Sequence, residues 1–166
     1  MRSDSADQAW FDAVFTEHAA QVHRYFLRRA PIDDAEDLAA EVLAITWRRR
    51  ADVPAGNVLP WLYRTAGYVL ANYRRKNRPV PVVIDEDLDE PATGPDPATL
   101  TSDADAIRLA LMQLSPRDRE VLMLNAWEGL SGSQLAKALG ISRGGAAAAL
   151  SRARLRLAQL WDAELV

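Results

Sequence analysis

Residues 131–161, SGSQLAKALGISRGGAAAALSRARLRLAQLW, constrain the fold more than any other stretch. They predict a short helix, a tight turn and a longer second helix. Ser131 suits an N-cap, with Gln134 three residues on to close a capping box. Leu135, Ala136 and Leu139 give the first helix one apolar face. Gly140 ends it, because glycine enters the left-handed region at little cost. Ile141 anchors the turn and Ser142 caps the second helix. Leu150, Ala153, Leu157 and Leu160 recur at helical spacing and predict the buried stripe of that second helix, with Arg152 and Arg156 on another side. This is the pattern of a helix-turn-helix, whose second helix enters the DNA major groove. It equally suits a plain helical hairpin in an all-α core.

Ala, Leu, Arg, Glu and Asp dominate the rest, alternating β-branched runs are nearly absent, and the fold class expected is all-α. With 166 residues, 49% of them hydrophobic, the chain has length for one or two small domains with a real core. It has no cysteine, which removes disulfides, thiolate metal sites and thiol redox sensing. No apolar run is long enough for a membrane span and no signal peptide is evident, so a cytoplasmic protein without membrane insertion is expected. The net charge is only −3, but the acids are concentrated. Residues 79–105 hold eight of the 23 acidic side chains and no Lys or Arg; the remaining 15 face 20 Lys and Arg elsewhere. Two mildly basic lobes thus flank an acidic connector.

In chain order, residues 1–7 read as a frayed tail, and a helix is expected over 8–29 with Phe11, Phe15, Val22 and Phe26 buried and Trp10 and Val14 beside them. His18 and His23 are five apart, the wrong spacing for two ligands on one helix face; no metal or other cofactor is expected. Asp33, with Glu36, predicts the capped start of a helix over 33–50 whose core face is Leu38, Val42 and Ile45. Asp34, Asp37 and Glu41 line an adjacent face, either as solvated surface or as a docking face for a basic partner. Pro60 opens a third helix with Leu62, Ala66, Val69 and Tyr73 on one side. Its aromatics Trp61, Tyr63, Tyr68 and Tyr73 are interleaved with basic side chains up to Arg78, the mixture that melted DNA requires. The plainer alternative packs the rings inward and leaves the cations solvated. Residues 80–101 read as a flexible acidic linker between domains at 1–79 and 102–166. A helix over 102–114 with Ile107, Leu111 and Leu114 inward comes next, then one started by Ser115 and Pro116.

Taken together, these segments resemble the small extracytoplasmic-function class of bacterial RNA polymerase sigma factors. DDAEDLAAEVLAITWR resembles the segment that docks on the polymerase clamp, and PWLYRTAGYVLANYRRKNR the one that melts and reads the minus-ten element. LSPRDREVLMLNAWEGLSGSQLAKALGIS and SRARLRL resemble the domain that reads the minus-thirty-five element. The resemblance implies core RNA polymerase and promoter DNA as partners, an anti-sigma factor as a further one, and no catalytic residue. It assigns core binding to Asp34, Asp37, Leu38 and Glu41. Minus-ten contact falls to Trp61, Arg64, Tyr68, Asn72, Arg74, Arg75, Lys76 and Arg78, and helix-turn-helix contact to Ser142, Arg143, Arg152 and Arg156. This chain departs from the family pattern at Ala40, usually glutamine, and Tyr68, usually asparagine. In the recognition helix Gly145, Ala147, Ala148 and Ala149 stand where threonine, lysine, serine and arginine are usual. Promoter choice is therefore expected to rest more on the downstream element, or on a narrow, shape-dependent upstream one. Two other classes remain: a stand-alone helix-turn-helix regulator, and a degenerate sigma-like protein-interaction module.

Overall fold

Glycine and proline placement divides the chain into the helices seen in its computed structural model, which describes residues 4–77 and 103–164. The first unit holds α1 (Asp4–Leu27), α2 (Ile32–Arg48), a single 3₁₀ turn (Arg50–Asp52) and α3 (Val58–Lys76). The second holds α4 (Asp103–Gln113), α5 (Pro116–Ala126), α6 (Gly132–Leu139) and α7 (Arg143–Glu164). The fold is all-α, with no strand among the described residues. The linker expected at 80–101 lies outside them.

Three local signals act as their chemistry requires. The Ser115 hydroxyl accepts the Asp118 amide at 3.2 Å, and Pro116, which lacks an N–H, takes the first helical position of α5. Ser115→Ala is expected to cost about 1 kcal/mol of stability, read in a denaturant titration. The Ser142 hydroxyl accepts the Gly145 amide at 3.0 Å and starts α7. Gly140 closes α6 at φ 68°. A side chain there would also strike Arg64, whose guanidinium lies about 3.0 Å from where a Cβ would stand. The left-handed dihedral is what calls for glycine here, since the exposed Arg64 side chain can shift away from a Cβ.

Other expectations are corrected. The first turn is not frayed: α1 begins at Asp4, and the buried Asp7 accepts from Arg50 Nε at 2.8 Å. Arg50 also stacks over the Trp47 ring. Asp33 does not cap α2; Pro31 occupies that position, with no side-chain cap. Ser131 does precede α6, but its hydroxyl makes no cap bond, and the Gln134 amide is taken by the Ser131 carbonyl. Pro60 lies inside the first turn of α3 rather than opening it, where its missing N–H still costs nothing. Phe15 and Ile107 are exposed, whereas Tyr25 is buried at the end of α1.

Each unit has its own packing, and one core joins them. Val22, Phe26, Val42, Leu62, Ala66 and Val69 meet between α1, α2 and α3. The same apolar cluster continues through Val121, Leu124, Leu130 and Leu135 of the second unit. A smaller cluster of Leu111, Leu114, Leu122 and Ala153 secures α4 on α5 and α7. Arg119 ties the α4–α5 turn by donating to the carbonyls of Leu111, Met112 and Leu114, which satisfies the end of α4.

Candidate nucleic-acid interface

The third helix presents one continuous polar and aromatic stripe. Trp61, Arg64, Tyr68, Asn72 and Arg75 recur at three- and four-residue steps and fall on one side of α3. Leu62, Ala66 and Val69 hold the opposite side in the core, which fixes the rotation of the helix. Tyr68 is the ring that faces solvent, at 61% exposure. Arg64 Nε donates to the Tyr68 hydroxyl at 3.3 Å, and Asn72 accepts from Arg75. Arg74 turns aside and donates to the Arg29 carbonyl at 3.3 Å. Lys76 is exposed and Arg78 lies outside the described residues.

The remaining aromatics do structural work. Trp61 is half-buried against the core, and Tyr63 stacks on Tyr25 with ring centroids 5.6 Å apart. Burial pushes the Tyr63 hydroxyl up to about 12. Tyr73 donates to Asp34, and that hydrogen bond raises its pKa above the ordinary value. Asp34 is thereby tied to α3 instead of standing free with the other acids.

On α2, Asp37 and Glu41 are exposed one turn apart, with Asp33 and Glu36 beside them. Leu38 is only 6% exposed and belongs to the core, so it shapes the helix from within. Ile32 was missed by periodicity: it stands 77% exposed at the start of α2, an apolar side chain at the edge of the acidic face. An isoleucine outside the buried stripe was the available signal.

The second helix of the helix-turn-helix has a different character. Ala146, Ala149 and Ala153 are buried against the rest of the second unit. These alanines therefore serve close packing, and of the small residues at the start of α7 the exposed ones are Gly144, Ala147 and Ala148, with Gly145 half-buried. At about 100° per residue, Gly144, Ala147, Ala148, Ser151 and Leu155 centre on the face opposite the buried stripe. Arg143 and Arg152 lie about 180° apart, on the two edges of that smooth strip. Ser142 is committed to its cap. Arg154 reaches Asn125 at 2.9 Å, and Arg156 pairs with Asp118 at 2.5 Å. Burial opposes the Asp118 charge, but Arg156 and Ser115 outweigh it and lower its pKa. Arg156 is thus partly neutralised on its own unit. Among the described residues, no group of three His, Asp or Glu side chains is placed to hold a metal, and no helix is long and apolar enough to cross a membrane.

Comparison with known proteins decides the family. Residues 14–80 match the family described as Sigma-70 region 2, and residues 104–157 that described as Sigma-70, region 4. The chain is 32% identical over 146 residues to the ECF RNA polymerase sigma factor SigL of Mycobacterium tuberculosis, covering 84% of this chain and 82% of SigL. This chain belongs to the extracytoplasmic-function sigma factors of the sigma-70 family. It is also 30% identical over 160 residues to SigE of Mycolicibacterium smegmatis, where 93% of this sigma factor spans 62% of SigE. Its fold matches that of RpoE from Bartonella quintana, solved with the anti-sigma factor NepR, at a TM-score of 0.65 and 24% identity, covering 92% of this chain and 96% of RpoE. It also matches CnrH, solved with the cytosolic domain of CnrY, at a TM-score of 0.62 and 24% identity, covering 96% and 92%. The α3 stripe lies within the region 2 match and the arginine-edged face of α7 within the region 4 match.

Proposed function

We propose that this sigma factor binds core RNA polymerase and directs it to promoters, with residues 1–79 and 102–166 as the two working domains. It acts in the cytoplasm and performs no catalysis of its own. The observation that carries this reading is the α3 stripe: an exposed tyrosine between arginines on a helix whose last turn is basic. Unpaired bases stack on such a ring while cations hold the phosphates. Asp37 and Glu41 supply the docking face for a basic surface of the polymerase, and an anti-sigma factor is the natural antagonist of that face.

Upstream, α7 holds DNA by its two edges. An arginine on each side of the strip suits the two phosphate walls of a groove, while the strip itself offers bases little beyond apolar contact and the exposed Ser151 hydroxyl. Promoter choice accordingly rests on the downstream element, or on an upstream element chosen by shape. Run-off transcription with core RNA polymerase on a genomic fragment library tests the main reading; absence of any sigma-dependent start overturns it. A promoter scan with the reconstituted holoenzyme should then show the larger base-specific losses in the downstream element. Equal losses in both elements, traced to contacts from Ala147 and Ala148, refute the division of labour.

A further inference from the structure

Between α3 and the α5–α6 pair runs a cleft of about 400 Å³, within the range of about 300–1,000 Å³ usual for small-molecule sites. Its floor is one face of α3, on which Arg64, Gly67, Tyr68, Ala71 and Arg74 recur at three- and four-residue steps. Gly67 and Ala71 leave the middle of that face low, and an arginine stands at each end. Gly67 has no backbone reason to be glycine. It sits well inside a 19-residue helix, where glycine is less favourable than alanine, and its φ is not positive. Packing does not demand it either. Apart from the helix's own backbone, the one described atom within 4 Å of a Cβ there is the Tyr25 hydroxyl oxygen, at 3.9 Å, an ordinary contact. The missing side chain weakens α3 and turns bare backbone toward the cleft, and nothing else in the fold accounts for it.

The polar groups around this floor are of two kinds. Arg64 donates to the Tyr68 hydroxyl and Arg74 to the Arg29 carbonyl, so neither guanidinium has a carboxylate partner. Arg119 gives its donors to three carbonyls, and burial, then the nearby Arg74 charge, lower its pKa. The opposite wall brings one acid, Glu120. A carboxylate has about four acceptor positions. The Tyr25 hydroxyl takes one at 3.2 Å and Arg29 Nε another at 3.0 Å. Burial, then the Glu120 charge, hold the Tyr25 pKa far above its ordinary value, so the phenol remains a donor. The Glu120 side chain is still 31% exposed, with acceptor positions left over.

We propose that this cleft binds a guanine nucleotide, with the base flat on Gly67 and Ala71, its N–H edge on Glu120 and its phosphates on Arg64. Guanine presents two adjacent donors, the ring N1–H and the exocyclic amine, which one carboxylate accepts together; adenine presents its amine beside an acceptor nitrogen. The Tyr68 ring beside the floor adds a stacking surface, and a guanidinium grips phosphate by parallel hydrogen bonds. Arg29 fixes the direction of the ligand. Its side chain donates to Glu120 and its carbonyl accepts from Arg74, so Glu120 belongs to the Arg74 end of the floor. Arg64 is ten positions away, about 15 Å along the helix, a span that a nucleoside di- or triphosphate covers.

The test is calorimetric titration of the full chain with GDP, GTP, ADP, ATP and inorganic pyrophosphate. No polymerase or DNA is present, so the result is independent of the sigma-factor reading. The guanine nucleotides should bind with a dissociation constant below about 100 µM, and the other probes at least about tenfold more weakly. Gly67→Ala separates a ligand site from a need of the fold. Its methyl favours the helix and meets Tyr25 at an ordinary distance, so the melting temperature should rise by roughly 2–4 °C. The same methyl stands on the floor of the cleft, so guanine nucleotide affinity should fall at least about tenfold. Glu120→Gln keeps an acceptor for Tyr25 but replaces one oxygen by a donor, and the preference for guanine should disappear. No binding of GDP or GTP at about 1 mM overturns the site. Equal affinity for pyrophosphate does the same, since a basic patch then takes any polyanion. Undiminished affinity in Gly67→Ala, or a lower melting temperature, overturns the placement of the base on Gly67. Equal binding of adenine nucleotides by the parent chain, or a guanine preference retained in Glu120→Gln, overturns the part given to Glu120.

Discussion

Reversing charge at Asp37 and Glu41 together is expected to weaken binding to core RNA polymerase by about 30- to 100-fold, equivalent to about 2–3 kcal/mol. Both carboxylates are exposed on α2, one turn apart. An exposed ion pair contributes about 0.2–1 kcal/mol, and reversal exchanges that attraction for a repulsion of similar size. Two such exchanges on one face reach the stated loss. The fold should be indifferent, because the inward side of α2 is carried by Leu38, Val42 and Leu43. Asp34 is the contrasting position: its carboxylate accepts from Tyr73, so Asp34→Arg should disturb the α2–α3 packing as well. Calorimetric titration into core polymerase at low and high salt measures this. An unchanged dissociation constant at low salt refutes the docking assignment, and a loss that persists unaltered at high salt refutes its electrostatic origin.

Ala149→Arg is expected to unfold the second unit, whereas Ala148→Arg one position earlier keeps it folded and tightens binding to duplex DNA. Ala149 is 5% exposed and packed in the core. A cation forced there loses its hydration without gaining a partner, a penalty of several kcal/mol against a total stability of about 5–15 kcal/mol. Ala148 stands on the smooth exposed strip between Arg143 and Arg152. An arginine there adds one cation to the groove-facing surface, so the slope of log affinity against log salt should steepen by about 1. Thermal melts followed by circular dichroism separate the two variants, and fluorescence anisotropy across a salt series reads the second effect. Equal melting temperatures for the two refute the assigned orientation of α7.

Several features set by one residue and its near neighbours were legible in the sequence, although the capping boxes read at Asp33 and Ser131 do not form. Gly140, Ser115 with Pro116, and Ser142 each solve a backbone problem within one helical turn, and each is found where the residues imply. The core stripes of α2 and α3 were likewise legible, though α3 also buries Tyr63 and Leu70, and on α7 Leu150, Leu157 and Leu160 are partly buried beside the fully buried Ala153. Helix α1 was read less well. Its far end meets two sets of neighbours, so Tyr25 is buried by α5 as well as α3, while Phe15 is left in solvent. Periodicity within one helix carries no record of a second helix arriving from elsewhere in the chain. The same limit hid Glu120 and Glu128, which look like ordinary surface acids until Arg29 is placed between them. Leu38 was read twice, by its spacing as core and by the motif match as a partner contact, and its 6% exposure bears out the first. The alanines of α7 were ambiguous because a missing DNA contact and a close packing contact use the same side chain.

The contact between the two units also imposes an order on synthesis. The hydrogen bonds across it join residues 91 to 100 positions apart, whereas each unit is built from neighbouring helices. Local packing of this kind forms early, and distant contacts are reached only after a long loop has closed. From Lys76 at the end of α3 to Leu139 at the end of α6 the ribosome must add about 60 residues, which at 5–20 residues per second takes roughly 3–13 s. For those seconds Tyr25, Tyr63 and Leu70 stand in water on a completed first unit, an adhesive face without its cover. The nascent chain is therefore most exposed to aggregation, and most attractive to chaperones, between the emergence of α3 and that of α6.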